Sequence, residues 1–419
     1  MKSLLLASAA LALVFAGGGA EAADCKVTVG VVMELTGPAG EYGQAGAKSV
    51  EMAFRDINAA GGAKGCTLVT ETRDSQSQGN VAVDVASQLV QVTKVPVVIG
   101  GIISSVSIPI LTSVTAPAKV VQISPASSSP TLTELGRQGK TNGIFFRTIT
   151  SDALQGVVAG KYALDQGFKK IAIIHVNNDF GVNMVAEFSR TYKALGGEIL
   201  SVTPYNEKQP SYQAEVTKAM QSKPDGLYLV SYPVDGATIA RAWISQGGVA
   251  KFLLNDGMNS PDFIQSVGAQ YLTSAYGTSS GTSPTPSTEY FNANYKAFSG
   301  IDPSNPAADR SYDAGAIIGL AIAAAASNEP LAIRDAIFKV VDPKGTPINA
   351  GKDGFAKALA LLKEGKPIRY EGVIGPVDFD KYGDITGPFR LWKIDGGKVV
   401  TVGEMSTGDV NAIKAKLGN

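Results

Sequence analysis

The sequence predicts an α/β fold with two doubly wound, Rossmann-like lobes joined by a three-stranded hinge. Three observations point there. Strand-type and helix-type segments alternate from residue 26 to residue 255, which implies parallel sheets with helices on both faces. Val97–Gly101 and Val120–Ile123, the latter apolar but for Gln122, read as strands buried on both sides. Further strands and helices follow residue 274 and need a sheet to pack on. The economical path returns to the first lobe and finishes on the second, so the chain crosses three times and leaves a cleft between lobes.

The elements read in order. Lys26–Met33 is a valine-rich strand, Gln44–Ala60 a helix, Thr67–Arg73 a strand and Gly79–Val92 a helix. Pro96–Gly101 is a strand, Ser107–Thr115 a helix and Val120–Ser124 a strand. The rhythm pauses over the polar stretch Pro125 to Gly143. It resumes with Gly143–Arg147 as strand, Asp152–Gln166 as helix, Lys170–Val176 as strand, Asn183–Leu195 as helix and Glu198–Pro204 as strand. Tyr212–Gln221 is a helix, Gly226–Val230 a strand, Gly236–Gln246 a helix and Phe252–Asn255 a strand. A strand over Ser274–Ser279, helices over Ser287–Phe298, Asp309–Ser327 and Leu331–Val340, and a strand near Pro388–Ile394 complete the chain. The first lobe is expected to hold residues 24–149 plus 278–387, and the second 150–277 plus 388–419.

Residues 1–23 are read as a secretory signal peptide. Lys2 supplies a short positive start, Leu4 to Phe15 an apolar stretch too short to span a bilayer, and Ala20-Glu21-Ala22 a cleavage pattern at Ala22 or Ala23. Cys25 lies just beyond, but Asp24 stands where a lipidation signal needs a small residue. Cys66 is the only other cysteine. An even count in an exported chain implies one disulfide, Cys25–Cys66. Both cysteines precede strands, and adjacent strands would bring them together.

Lysine plus arginine number 37, as do aspartate plus glutamate, and the leader removes only Lys2 and Glu21. Without a basic field the chain is not expected to bind nucleic acid. The longest later apolar run, Gly315 to Ala326, is too short to cross a membrane and reads as a core helix.

Catalytic motifs fail on context. Gly277-Thr278-Ser279-Ser280-Gly281 matches a nucleophile elbow, but Pro284 and Pro286 block the helix that must follow, and the one histidine, His175, comes earlier. The match is read as a turn. Gly139-Lys140-Thr141 lacks both the first glycine and the leading strand of a phosphate-binding loop. Asp378, Asp380 and Asp384 do not have calcium-loop spacing. His175 reads as a packed, hydrogen-bonded side chain. No enzyme, cofactor or metal is expected.

Binding is favoured instead. Both apolar strands run into hydroxyls, Ser104-Ser105 and Ser124 to Ser129. Ligands of open α/β sheets sit beyond such strand ends. Ser104 and Ser105 also stand where a helix begins. There they could cap it, or free N–H groups could hold an anion.

Val31-Val32-Met33-Glu34-Leu35-Thr36-Gly37-Pro38, Tyr42-Gly43 and Asp56-Ile57-Asn58-Ala59-Ala60-Gly61-Gly62 resemble the periplasmic leucine/isoleucine/valine-binding proteins of ABC transporters. So do Ser124-Pro125-Ala126-Ser127-Ser128, Ile374-Gly375-Pro376, Phe379-Asp380 and Gly383-Asp384. The likeness runs in order through the chain beyond the leader. It implies a type I periplasmic binding fold closing on a small ligand, an amino acid or small carboxylate, delivered by a periplasmic monomer to an ABC permease. Ser104 and Ala126 would hold a ligand carboxylate, with Ser105 and Ser127 beside them. Ser128 stands for a shared threonine hydroxyl. Tyr42 and Tyr232 would line the side-chain pocket. Asp256 stands for a glutamate that pairs the ligand ammonium. Phe180 replaces a frequent tyrosine, which makes the second lobe's mouth more apolar. An aromatic acid or short amide in the same fold, or a ligand-sensing role, is the alternative.

Overall fold

The computed structural model describes residues 25–418, so the leader and its cleavage site lie outside the described residues. Five parallel strands form the first sheet: β1 (Lys26–Met33), β2 (Thr67–Asp74), β3 (Val97–Gly100), β4 (Val121–Ser124) and β5 (Phe145–Arg147), in the order β2-β1-β3-β4-β5. The second sheet holds β6 (Lys170–Val176), β7 (Glu198–Tyr205), β8 (Gly226–Val230), β9 (Phe252–Leu254) and β10 (Ala275–Ser280). Late in the chain, β11 (Thr346–Asn349) and β12 (Ile368–Glu371) pair with each other. The strands β13 (Phe389–Asp395) and β14 (Lys398–Met405) then extend the second sheet antiparallel, giving β14-β13-β10-β9-β8-β6-β7.

The two parallel cores share one topology. Each starts on a central strand, moves one strand outward, then crosses to the other side. The reversal falls between β1 and β3 in the first lobe and between β6 and β8 in the second. Each is the switch point where α/β sheets open a crevice at their carboxyl ends.

Burial explains why these residues build this core. Strands β3, β4 and β8 are buried at every position. The late helix Ala308–Ala324 carries the apolar run, and its Ile317, Ile318, Leu320 and Ile322 are fully buried. It packs against the helix Gly40–Ala59, which follows β1. Each such aliphatic side chain contributes about 1.5–3 kcal/mol relative to exposure.

Three segments cross between lobes, around residues 148–151, 281–285 and 385–388. Thr150 Oγ1 donates to Ser280 Oγ at 2.8 Å, and the Gly281 N–H donates to the Pro388 carbonyl at 2.7 Å, tying the three together. The strand β10 stays paired with β13 as far as Ser280, past the expected crossing at 278. The glycine-serine elbow match therefore lies largely within a strand rather than in a turn.

Other readings need correction. The polar pause contains a helix, Pro130–Arg137, started by Pro130 and capped by Ser129, whose hydroxyl accepts the Thr131 N–H. The helix expected from Asn183 begins at Asp179, because the Asn178 side chain caps it through the Gly181 N–H. The helix expected from Ser107 begins at Ser104. Helices over Pro261–Val267 and Lys352–Lys363 were not read from the sequence.

Cys25 and Cys66 form a disulfide with their Cα atoms 4.6 Å apart. It sits where β1 and β2 begin side by side, Lys26 opposite Thr67. His175 is buried, with Nδ1 2.9 Å from the Val176 carbonyl oxygen, and burial lowers its pKa.

Candidate ligand-binding site

The carboxyl ends of both sheets meet across the cleft. A small hollow of about 30 Å³ there is lined by Tyr42, Ser104, Ala126 and Ser128 from the first lobe and Phe180, Tyr232 and Asp256 from the second, with Ile102 and Ile103. Seven of the nine expected ligand residues therefore converge. Ser105 and Ser127 do not line it.

Equivalent positions in the two lobes supply the wall. Tyr42 follows β1 and Phe180 follows β6; Ser104 follows β3 and Tyr232 follows β8; Ser128 follows β4 and Asp256 follows β9. Tyr42 and Phe180 stand in the first turns of helices and Tyr232 is an N-cap, so the three aromatics are more firmly held than loop residues. The Tyr232 ring stacks on Phe180 at 5.7 Å and meets Tyr42 edge-on at 6.5 Å. Tyr232 Oη accepts from Asn178 Nδ2 at 3.2 Å.

Most of the hydroxyl cluster knits the two strand ends together. Ser124 Oγ and Ser107 Oγ donate to the Gly101 carbonyl at 2.6 and 2.8 Å. Ser127 Oγ donates to the Ile102 carbonyl at 3.0 Å and contacts Ser107 Oγ at 2.6 Å, so its hydroxyl is turned into the protein. Ser105 is held away from the hollow by the helix that starts at Ser104. Ser104 does not cap that helix; its Oγ accepts the Ser129 N–H at 3.1 Å, linking the two loops.

Buried acids behind the loops escaped the sequence reading. Glu34, fully buried immediately after β1, accepts the Ile102 and Ile103 N–H groups at 3.0–3.2 Å and fixes the Ser104 loop. Burial pushes its pKa up to about 7, against the pull of those N–H donors. Asp152 accepts from Ser128 Oγ at 2.9 Å, and its other oxygen is buried without a partner. Burial and then the Asp256 charge raise its pKa. Ser128 thus has its proton committed to Asp152 and its lone pairs available to a donor. A lone charge closing an apolar strand was the signal for Glu34; Asp152 looked like an ordinary acidic first turn.

Asp256 Oδ1 accepts the Gly257 N–H at 3.0 Å and Asn255 Nδ2 at 3.3 Å. It faces the cavity but is enclosed by protein, and burial raises its pKa while Arg310 nearby opposes the shift. The site thus sets neutral hydroxyls on one lobe against a carboxylate on the other, between aromatic rings.

The lobes touch around it. Ser260 Oγ donates to Glu41, Asn183 Nδ2 to Ser129 Oγ at 3.2 Å, and Lys208 Nζ to the Gln76 carbonyl at 2.9 Å. This is a closed arrangement. Two of the three acids without calcium-loop spacing make protein contacts: Asp384 pairs with buried Arg147 at 2.7 Å and Asp380 accepts the Tyr382 and Asp384 N–H groups. Among the described residues no helix is long and apolar enough to cross a membrane.

A family profile described as periplasmic binding protein matches residues 26–398. The chain belongs to the periplasmic binding protein family. Leu/Ile/Val-binding protein homolog 1 of Brucella abortus is 32% identical over 365 residues, 83% of this chain and 94% of that one. Among solved structures, the substrate-binding protein LivJ of Streptococcus pneumoniae in complex with isoleucine superposes with a TM-score of 0.74 at 22% identity, covering 90% of this chain and 99% of that one. A solute-binding protein of an R. palustris ABC transporter in complex with 4-hydroxybenzoate superposes with a TM-score of 0.73 at 18% identity, covering 91% and 97%. This periplasmic binding protein thus has the type I fold, and its relatives are binding proteins rather than enzymes.

Proposed function

We propose that this protein captures an α-amino acid in the periplasm, as a monomer without enzymatic activity, and delivers it to an ABC importer. One observation carries the reading: hydroxyls at Ser104 and Ser128 oppose the Asp256 carboxylate across the closed cleft. The Ser104 hydroxyl, with the backbone at Ala126, suits a ligand carboxylate, and the lone pairs left on Ser128 suit the ligand ammonium. Asp256 suits the same ammonium, and a buried carboxylate without a cation is costly. Tyr42, Phe180 and Tyr232 would clasp the side chain. The leucine/isoleucine/valine-binding relative supports the same class. Ligand would meet the open first lobe, and closure about the hinge would follow because the closed state holds it better. Export with cleavage near Ala22 or Ala23 would place the chain in the periplasm.

Calorimetry on an amino acid and its amine-free analogue tests the proposal. The amino acid should bind more tightly, and Asp256→Asn should weaken it by about 2–5 kcal/mol. Equal or tighter binding of the analogue would reject the ammonium role. It would favour an aromatic or other small carboxylate, the second reading that Phe180, stacked on Tyr232 and lacking a hydroxyl, supports.

A further inference from the structure

The small hollow, about 30 Å³, is far below the roughly 300–1,000 Å³ of ordinary ligand pockets. It shares Tyr42, Ala126 and Asp256 with a much larger cavity of about 830 Å³ that runs toward the hinge. In the closed arrangement a ligand gripped at Ser104 and Asp256 has room to extend only that way.

Two arginines meet in the larger cavity, one from each lobe. Arg310, from the helix Ala308–Ala324, is buried. It donates to Asp309 at 2.8 Å and to the hinge carbonyls of Ser280 and Gly281 at 2.9 and 3.3 Å. Arg390, on β13, lies beside it and has no ion-pair partner among the described residues, and its Nε is buried with no hydrogen bond. The acids around Arg390 act on it from a distance without forming an ion pair. Asp309 is committed to Arg310, Asp302 is exposed and bonded to Ser304, and Lys398 adds positive charge at the rim. Exposed Glu404 faces Arg390 across the β13–β14 register without forming an ion pair. Burial lowers the Arg390 pKa, with the Asp309 charge opposing that shift, the Arg310 charge adding to it and the Glu404 charge opposing it. A guanidinium stays charged throughout the physiological range and presents a planar fork to a carboxylate.

We infer that Arg390 and Arg310 form a second anion subsite, and that the ligand carries a distal acid group: an amino dicarboxylate, or an amine-free diacid. The inference rests on the proposed function only for the first carboxylate's position. An anion between arginines of opposite lobes, one of them bonded to the hinge, would bind the closed state better than the open one, which is what drives closure.

The test pairs ligands that differ only at the far end: norleucine against 2-aminoadipate and 2-aminopimelate, and hexanoate against adipate and pimelate. Calorimetry is run on the native protein, Arg390→Gln, Arg390→Lys and Asp256→Asn. At least one diacid should bind about 10- to 100-fold more tightly than its methyl-ended partner, the range for hydrogen bonds to charged groups. Arg390→Gln should bring that ratio to near one and Arg390→Lys should keep part of it. The ligand-free melting temperature of Arg390→Gln should rise, since a desolvated cation beside Arg310, with its Nε buried and unbonded, is removed. Methyl-ended ligands binding as well as every diacid, or a ratio untouched by Arg390→Gln, would overturn the subsite and leave the amino-acid reading standing. An Arg390-dependent diacid preference that ignores the amine and Asp256 would do the reverse. No binding by any member would overturn both.

Discussion

Single side chains divide here between gripping and building. Ser104 lines the hollow, whereas Ser127 spends its hydroxyl on the Ile102 carbonyl and Ser107. Ser104→Ala should therefore weaken ligand binding by about 1.5–3 kcal/mol, measured by calorimetry, with a smaller effect on folding through the lost Ser129 N–H contact. Ser127→Ala should instead lower folding stability by about 1–3 kcal/mol in chemical denaturation, because it strips buried partners. Both serines looked alike in the sequence, each beyond a buried strand. Asp152 could not be singled out at all, because its partnership with Ser128 joins residues 24 apart in the chain.

At the level of elements, a repeated device docks the first helix of each lobe. Tyr42 is followed by Gly43 and Phe180 by Gly181. A Cβ on Gly43 would fall 2.1 Å from the Glu34 carbonyl oxygen, and one on Gly181 2.1 Å from the Val176 carbonyl oxygen. Neither obstacle is a flexible side-chain end, so the helix itself must shift. Gly43→Ala and Gly181→Ala should each destabilise the protein by about 1–3 kcal/mol, and both should reduce ligand affinity by displacing the adjacent aromatic. Paired denaturation and binding measurements would check this; an unchanged affinity in both variants would separate docking from recognition. The disulfide ties two other elements, the starts of β1 and β2, across a sequence separation of 41. Cys25→Ser with Cys66→Ser should cost about 4 kcal/mol by the chain-entropy argument, read as a lower denaturation midpoint.

For the whole molecule, Glu41 is expected to couple closure to protons. It reaches across the cleft to Ser260, and burial there pushes its pKa up to about 7, opposed by the Ser260 hydrogen bond and helped by the Asp262 charge. An opening that hydrated the carboxyl would lower its pKa again, by removing the burial that raises it. The closed state would thus hold the extra proton, so closure gains as pH falls below about 7 and weakens as pH rises through it. Ligand affinity should accordingly decline from about pH 6 to pH 8. Glu41→Gln should flatten that part of the profile, as dissociation constants measured across the range would reveal.

The sequence by itself determined the alternation of strands and helices, the disulfide and the paired hydroxyl-tipped strands, because these follow from local periodicity, cysteine count and residue type. It also carried the family resemblance and most of the wall of the cleft. Tertiary structure decided which serines line the hollow, since that depends on where Glu34 and Asp152 anchor the loops. It decided that the aromatics stand at helix starts, through the Asn178 cap and the glycine contacts. It also brought Arg310 and Arg390 together. They lie 80 residues apart, on elements that join opposite lobes, and no spacing in a linear chain encodes two like charges meeting across a cleft.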